Sequence, residues 1–253
     1  MTLLFHTMAP HNLSQKPIPV GDRLIFAMDF PSFEEGKRWA NLLGDSVTFY
    51  KLGWQMFLSG DYFSFVDWLT ERGKKVFADL KIFDVPETVR NAVQQLKDRN
   101  VTFATVHGNE DMLRAAVEAK NNVKILAVTV LTSLDRKDLE DLGFQCDVAD
   151  LVLSRARRAL KVGCDGVISS GLEAARLRDD LGNGFLVISP GIRPVDNARV
   201  KDDQKRVVDL EDAFRNGADY IVVGRPIRKA DDPRAVAESY QKRIASLFSP
   251  APK

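Results

Sequence analysis

Eight short runs rich in Val, Ile, Leu and Phe recur along the chain, separated by longer polar stretches of which several have helical period. They are Leu24–Met28, Thr48–Leu52, Lys75–Leu80, Thr102–Val106, Lys124–Val130, Gly166–Ser169, Phe185–Ser189 and Tyr220–Val223. Short apolar runs of this kind suit strands buried on both faces, as in a parallel sheet covered by helices. The spacing predicts helices over Ser32–Leu43, Asp61–Arg72, Pro86–Arg99, Asp147–Lys161 and Leu172–Leu181. Eight such units predict an α/β protein with one (β/α)8 TIM barrel. That fold typically takes about 250 residues, and the 253 here accommodate one such domain over 21–253. An open doubly wound sheet is less well supported, because no G-x-G-x-x-G follows the first run and no G-x-x-x-x-G-K-[ST] occurs.

Residues 1–20, interrupted by Pro10, Pro17 and Pro19, read as a poorly ordered leader rather than a signal peptide. No run approaches the roughly 18 apolar residues of a membrane span. A formal charge of +1 supplies no global field towards nucleic acid or an anionic membrane, so any anion selectivity is local. Cys146 and Cys164 fit neither a disulfide framework nor metal-ligand spacing, and read as free thiols of a cytoplasmic protein. The three histidines and scattered acids offer no metal-ligand spacing either, so no metal site is expected.

In a parallel barrel the chemistry sits at the carboxyl ends of the strands. Asp29 ends the first run, Lys51 lies in the end of the second, and Asp79 and Lys81 close the third. His107 follows the fourth, Thr129 and Thr132 the fifth, Ser169 and Ser170 the sixth, Arg193 the seventh and Arg225 the eighth. Two apart on a strand, Asp79 and Lys81 point the same way. If that way is inward, Lys51 and the downstream Asp84 can join them in an alternating row of ammonium and carboxylate groups, since buried charges are tolerated when paired. A structural ion pair at the rim is the plainer account of an isolated D-x-K. Pro190-Gly191-Ile192-Arg193 and Gly224-Arg225 follow the last two strands, where barrels often bind phosphate; a turn with a surface arginine is the alternative. His107 reads as a structural histidine, and Phe77, Phe83, Trp39, Trp54 and Trp68 as packing residues. The long polar connection Gly191–Arg206 reads as a lid.

The segment DLKIFDVPET, Asp79–Thr88, resembles the signature of orotidine 5'-monophosphate decarboxylases. FAMDF at 26–30, YKLG at 50–53, VLTS at 130–133, SPGIRP at 189–194 and VVGRPI at 222–227 appear in family order, and the resemblance covers roughly Asp22–Leu247. The departures are small: Val85 replaces the commoner isoleucine and Gly108 a common alanine. The resemblance implies a cofactor-free decarboxylation of orotidine 5'-monophosphate to uridine 5'-monophosphate by a homodimer with shared active sites. Lys81 would protonate the ring carbon that loses carbon dioxide, with Asp79 against the departing carboxylate and Lys51 between the ribose and Asp79. Asp84 and Thr88 would come from the partner subunit. Asp29 would bind the ribose, Thr132 the pyrimidine, and Arg193, Gln204, Gly224 and Arg225 the phosphate end.

Physically, an ammonium fixed among carboxylates is pre-oriented to face the charge that develops on the ring carbon and can then deliver the proton. Two alternatives share parts of this pattern. One is a magnesium-dependent hexulose-phosphate synthase or keto-gulonate-phosphate decarboxylase, which has the same D-x-K-x-x-D. The other is a catalytically silent barrel that binds a phosphorylated metabolite.

Overall fold

Each apolar run of the sequence becomes a strand in the computed structural model, which describes residues 12–193 and 206–248. The strands β1 Leu24–Ala27, β2 Phe49–Leu52, β3 Lys75–Ile82, β4 Val101–Val106, β5 Lys124–Val128, β6 Gly166–Ile168, β7 Leu186–Ser189 and β8 Tyr220–Val223 are parallel and follow one another around a closed barrel. β8 pairs back onto β1, which leaves no exposed edge.

Several of the helices on the outside begin where a short polar side chain satisfies a first-turn amide. Ser32 caps α1 Phe33–Leu43 by accepting from the Glu35 amide, and Asp147 caps α7 Val148–Lys161. The other helices are α2 Trp54–Phe57, α3 Tyr62–Thr70, α4 Pro86–Gln94, α5 Glu110–Ala119, α6 Arg136–Asp141, α8 Ala174–Leu181, α9 Leu210–Arg215, α10 Arg225–Arg228 and α11 Pro233–Phe248. α4 stops at Gln94, short of the expected Arg99, and the chain turns through Asp98 and Asn100 at φ of 63° and 53°. Short polar side chains tolerate that left-handed conformation, so the helical pattern is cut before its end.

Alternation along the strands produces two apolar layers. Leu24, Phe26, Tyr50, Leu52, Val76 and Ala104 face the surrounding helices. Ile25, Ala27, Phe49, Phe77, Phe103, Leu126, Leu186, Ile188, Tyr220 and Val222 fill the barrel itself. Within that filling the rings of Phe49, Phe77, Phe103 and Tyr220 meet with centroids 5.1 to 5.9 Å apart. Two residues further along the same strands come Lys51, Asp79 and Thr105, so period two sets a polar layer directly on an aromatic floor.

The opposite end of the barrel is closed by a buried ion network. Asp219, with no exposed side-chain surface, accepts from Arg178 of α8 at 2.7 Å and from the Val187 amide at 2.9 Å. Ser14 and Lys16 reach the same carboxylate, and Arg23 donates to the Asp219 carbonyl. This buried acid gives residues 12–20 a packed position that a poorly ordered leader would lack; residues 1–11 lie outside the described residues. Phe77 is buried and Trp39 and Trp68 pack against the core, whereas Phe83 and Trp54 are 64% and 52% exposed. The last two stand just beyond the ends of β3 and β2, at the rim where the helices no longer cover them.

Removing one partner from a buried ion pair strands the other charge in a dry interior. Asp219→Ala is therefore expected to lower the unfolding free energy by about 3–5 kcal/mol in a urea titration. Asp45→Ala, at a fully exposed carboxylate, should leave the midpoint where it is.

Candidate active site

At the carboxyl ends of the strands the barrel opens into a cavity of about 440 Å³, of the size that small-molecule ligands occupy. Its floor is apolar, made by Ala27, Phe77, Val128, Ile168 and Val222, and its walls carry Asp29, Lys51, Asp79, Lys81, Thr132, Arg193, Arg225 and Arg228. The charged side chains form a row within one chain. Lys51 Nζ stands 3.4 Å from Asp29 Oδ1 and 3.3 Å from Asp79 Oδ2, and Lys81 Nζ donates to the same Asp79 Oδ2 at 2.9 Å. The order is Asp29, Lys51, Asp79, Lys81.

Burial opposes charge on Asp79, yet the ammonium groups of Lys51 and Lys81 outweigh it and hold the carboxyl below its ordinary value. Burial pulls the Lys51 ammonium down, and Asp79 and Asp29 together more than reverse this, so its pKa is raised. Both members of the central pair are thereby held charged.

Strand alternation alone does not place Lys81. The register runs Ala78 opposite Ala104 and resumes at Ile82 opposite Val106, so Asp79, Leu80 and Lys81 together face the single residue Thr105. Lys81 takes up the excess with a φ of 46°, in the left-handed region. Thr105, fully buried, accepts from the Lys81 amide at 2.9 Å and donates to Asp79 Oδ1 at 3.0 Å.

The other wall comes from the two strands that close the barrel. Gly191, at a φ of 78°, and Arg193 follow β7, and Gly224 leads into α10 with Arg225 and Arg228 on the cavity side. A Cβ at Gly224 would lie 3.2 Å from that of Ala27, tighter than most contacts, so the close approach of this turn to β1 favours glycine. The Ile192 to Val208 bridge brings together the two chain ends that flank residues 194–205. Arg206 anchors the second of these. It pairs with Glu173 at 2.6 Å, donates to the carbonyls of Val130 and Leu131, and its amide donates to the Thr132 carbonyl at 3.2 Å.

Several residues singled out from the sequence stand elsewhere. Asp84 and Thr88 are exposed and outside the cavity wall, and the Asp84 carboxylate accepts from the Val85 amide at 2.7 Å. Gln204 and most of the expected lid, 194–205, lie outside the described residues. Thr129, Ser169 and Ser170 are buried and tie loops together: Thr129 donates to the Ile168 carbonyl, Ser169 to Glu173 and Ser170 to the Arg206 carbonyl. The His107 ring packs edge-on against Phe83 at 5.4 Å, and burial lowers its pKa. Thr105, Glu173 and Arg228 escaped sequence reasoning, and Arg206, read from the sequence as the end of a lid, is instead a buried anchor. Only Arg228, one helical turn after Arg225, carried a spacing signal. Among the described residues no cluster of three or more His, Cys, Asp or Glu side chains is arranged to hold a metal ion.

Known proteins resemble this chain over nearly its whole length. The profile of the orotidine 5'-phosphate decarboxylase / HUMPS family matches residues 22–240. A protein of Methylococcus capsulatus named orotidine 5'-phosphate decarboxylase is 62% identical over 95% of this chain and 99% of its own. One of the same name from Stenotrophomonas maltophilia is 47% identical over 94% and 99%. Among solved structures, orotidine 5'-phosphate decarboxylase from Lactobacillus acidophilus superposes with a TM-score of 0.77 at 35% identity, covering 88% of this chain and 99% of that one.

The charge row fixes the sign of an acid titration. Because the folded pKa of Asp79 is depressed, its ionised form stabilises the fold above the unfolded value of about 3.9 and that stability is lost as pH falls through the folded value. Carboxyl-detected NMR should show Asp79 ionised below the ordinary aspartate range. Lys51→Met removes a stabilising cation and leaves burial in place, so the same resonance should titrate at higher pH.

Proposed function

The chain belongs to the orotidine 5'-phosphate decarboxylase / HUMPS family, and from its site we infer how it decarboxylates orotidine 5'-phosphate to uridine 5'-phosphate. The observation that carries the mechanism is the sharing of Asp79 Oδ2 by two ammonium groups at the cavity wall. The bond from the ring to the carboxylate breaks, carbon dioxide leaves, and the electron pair stays on the ring carbon. Lys81 faces that pair with an ammonium already oriented by Asp79 and passes one proton to the carbon, giving the product and a neutral lysine that solvent reprotonates. Since the charge is met by groups fixed before the reaction, little reorganisation accompanies the step. The Asp79 carboxylate beside the substrate carboxylate adds repulsion that departure of carbon dioxide relieves.

Asp29 and Lys51 serve the ribose, Thr132 the pyrimidine, and Arg193, Gln204, Gly224 and Arg225 the phosphate. Arginine's forked donors suit phosphate oxygens, and the position of Arg193, Gly224 and Arg225 at the cavity after β7 and β8 supports the assignment. Binding energy gathered at the phosphate, remote from the reacting bond, serves to align the ring. The working unit is a homodimer in which Asp84 and Thr88 complete the partner's site. In support, Phe83 and Val85 flank Asp84 and are 64% and 60% exposed, an apolar pair that a second subunit would cover. Cys146 and Cys164 are unpaired, which suits the reducing cytoplasm.

Orotidine 5'-phosphate added to the purified protein should give uridine 5'-phosphate at the same rate with and without a chelator, followed by pyrimidine absorbance and product identification. A chelator-sensitive reaction on a sugar phosphate instead would assign the chain to its magnesium-dependent relatives. Lys81→Ala should lower kcat by roughly a hundred- to ten-thousand-fold while product still binds. Mixing Lys81→Ala with Asp84→Ala subunits should recover about a quarter of parental activity, because half the dimers are mixed and each has one intact site. No recovery would place both groups in one chain.

A further inference from the structure

We propose that Thr105 is a positioning residue whose single hydroxyl sets both the backbone of Lys81 and the carboxylate of Asp79. The bulge in β3 sets three residues, Asp79, Leu80 and Lys81, against one on β4, so the ladder cannot satisfy this stretch. The Thr105 side chain supplies the missing partner: its oxygen accepts from the Lys81 amide and its proton goes to Asp79 Oδ1. The direction is forced. An amide can only donate and a carboxylate only accept, so the hydroxyl relays one to the other with its one proton committed to Asp79.

Two features make this connection matter. Lys81 is held at a φ of 46°, a conformation a lysine adopts only when its surroundings impose it, and the amide bond to Thr105 lies at that residue. Asp79 divides its oxygens, Oδ2 to the two lysines and Oδ1 to Thr105, so the hydroxyl fixes the rotation of the carboxylate that orients both ammonium groups. Thr105 itself is fully buried and is not part of the cavity wall. It acts on the reaction through its neighbours, and its loss should appear in the chemical step rather than in nucleotide binding.

This inference rests on the reading of Lys81 as proton donor. The test compares Thr105→Val, Thr105→Ala and Thr105→Ser with the parent enzyme and Lys81→Ala, reading kcat, KM, the dissociation constant of uridine 5'-phosphate and the thermal midpoint. Hydrogen bonds to charged groups are worth enough for kcat to fall about 10- to 100-fold in both variants lacking the hydroxyl. KM and product binding should stay within about threefold of the parent, and Thr105→Ser should recover kcat to within about threefold. Product binding at the parental value certifies that the fold and nucleotide site are intact in whichever variant is measured. The proposal is overturned if both hydroxyl-free variants keep parental kcat, if the loss falls on KM alone, or if Thr105→Ser is as impaired as Thr105→Val. An inactive Lys81→Ala beside unimpaired Thr105 variants would remove only the role of Thr105. An active Lys81→Ala would remove the proton-donor reading first.

Discussion

Asp79 holds a negative charge in a nearly dry place, and the carboxyl end of the barrel is organised around keeping it there. Its contacts with Lys81 at 2.9 Å and Lys51 at 3.3 Å are each worth about 5 kcal/mol at an effective dielectric of about 20, while taking each ion out of water costs several kcal/mol. These terms oppose each other, so the net gain from the row is much smaller than its contacts alone suggest. Stability is supplied elsewhere, by the two apolar layers and the Asp219 network at the far end. The geometry of the row depends on the aromatic layer beneath, because Phe49, Phe77 and Phe103 fill the barrel to the level at which Lys51, Asp79 and Thr105 begin.

The fold was legible because its signal is repeated. Eight apolar runs each had to be buried on two faces, and an error of two residues at one run end, such as β3 continuing to Ile82, left the topology unchanged. The row was partly legible, since D-x-K two apart on a strand and a lysine ending the preceding strand are one-dimensional patterns. Its fourth member in the chain is Asp29, because β1 pairs with β2 and brings the residue after its end beside Lys51, whereas Asp84 lies past the end of β3.

Thr105 shows what such patterns leave out. A threonine inside an apolar run reads as one more β-branched strand residue, and nothing local marks it as the only residue facing a three-residue bulge. Its role depends on register between two strands, as that of Glu173 depends on meeting Arg206, 33 residues away. Phe83 and Trp54 failed for a related reason. Aromatic side chains are usually packed, but helix cover ends at this rim, so Phe83 and Trp54 stay exposed.

Arg206 joins the two halves of the site. Its guanidinium is buried against Glu173 and two carbonyls of the chain after β5, and its amide holds Thr132, while its own chain continues through the bridge of Val208 to Ile192 beside Arg193. The loop that carries Thr132 and the turn that carries Arg193 thus share one fixed base. Aligning reacting groups demands tolerances well below an ångström, since a 1 Å error can cost about a hundredfold in rate. Binding energy gathered at one end of a ligand can enforce alignment at the other only if the parts of the protein gripping each end do not move independently. The buried Arg206 ties those two parts of the cavity rim together.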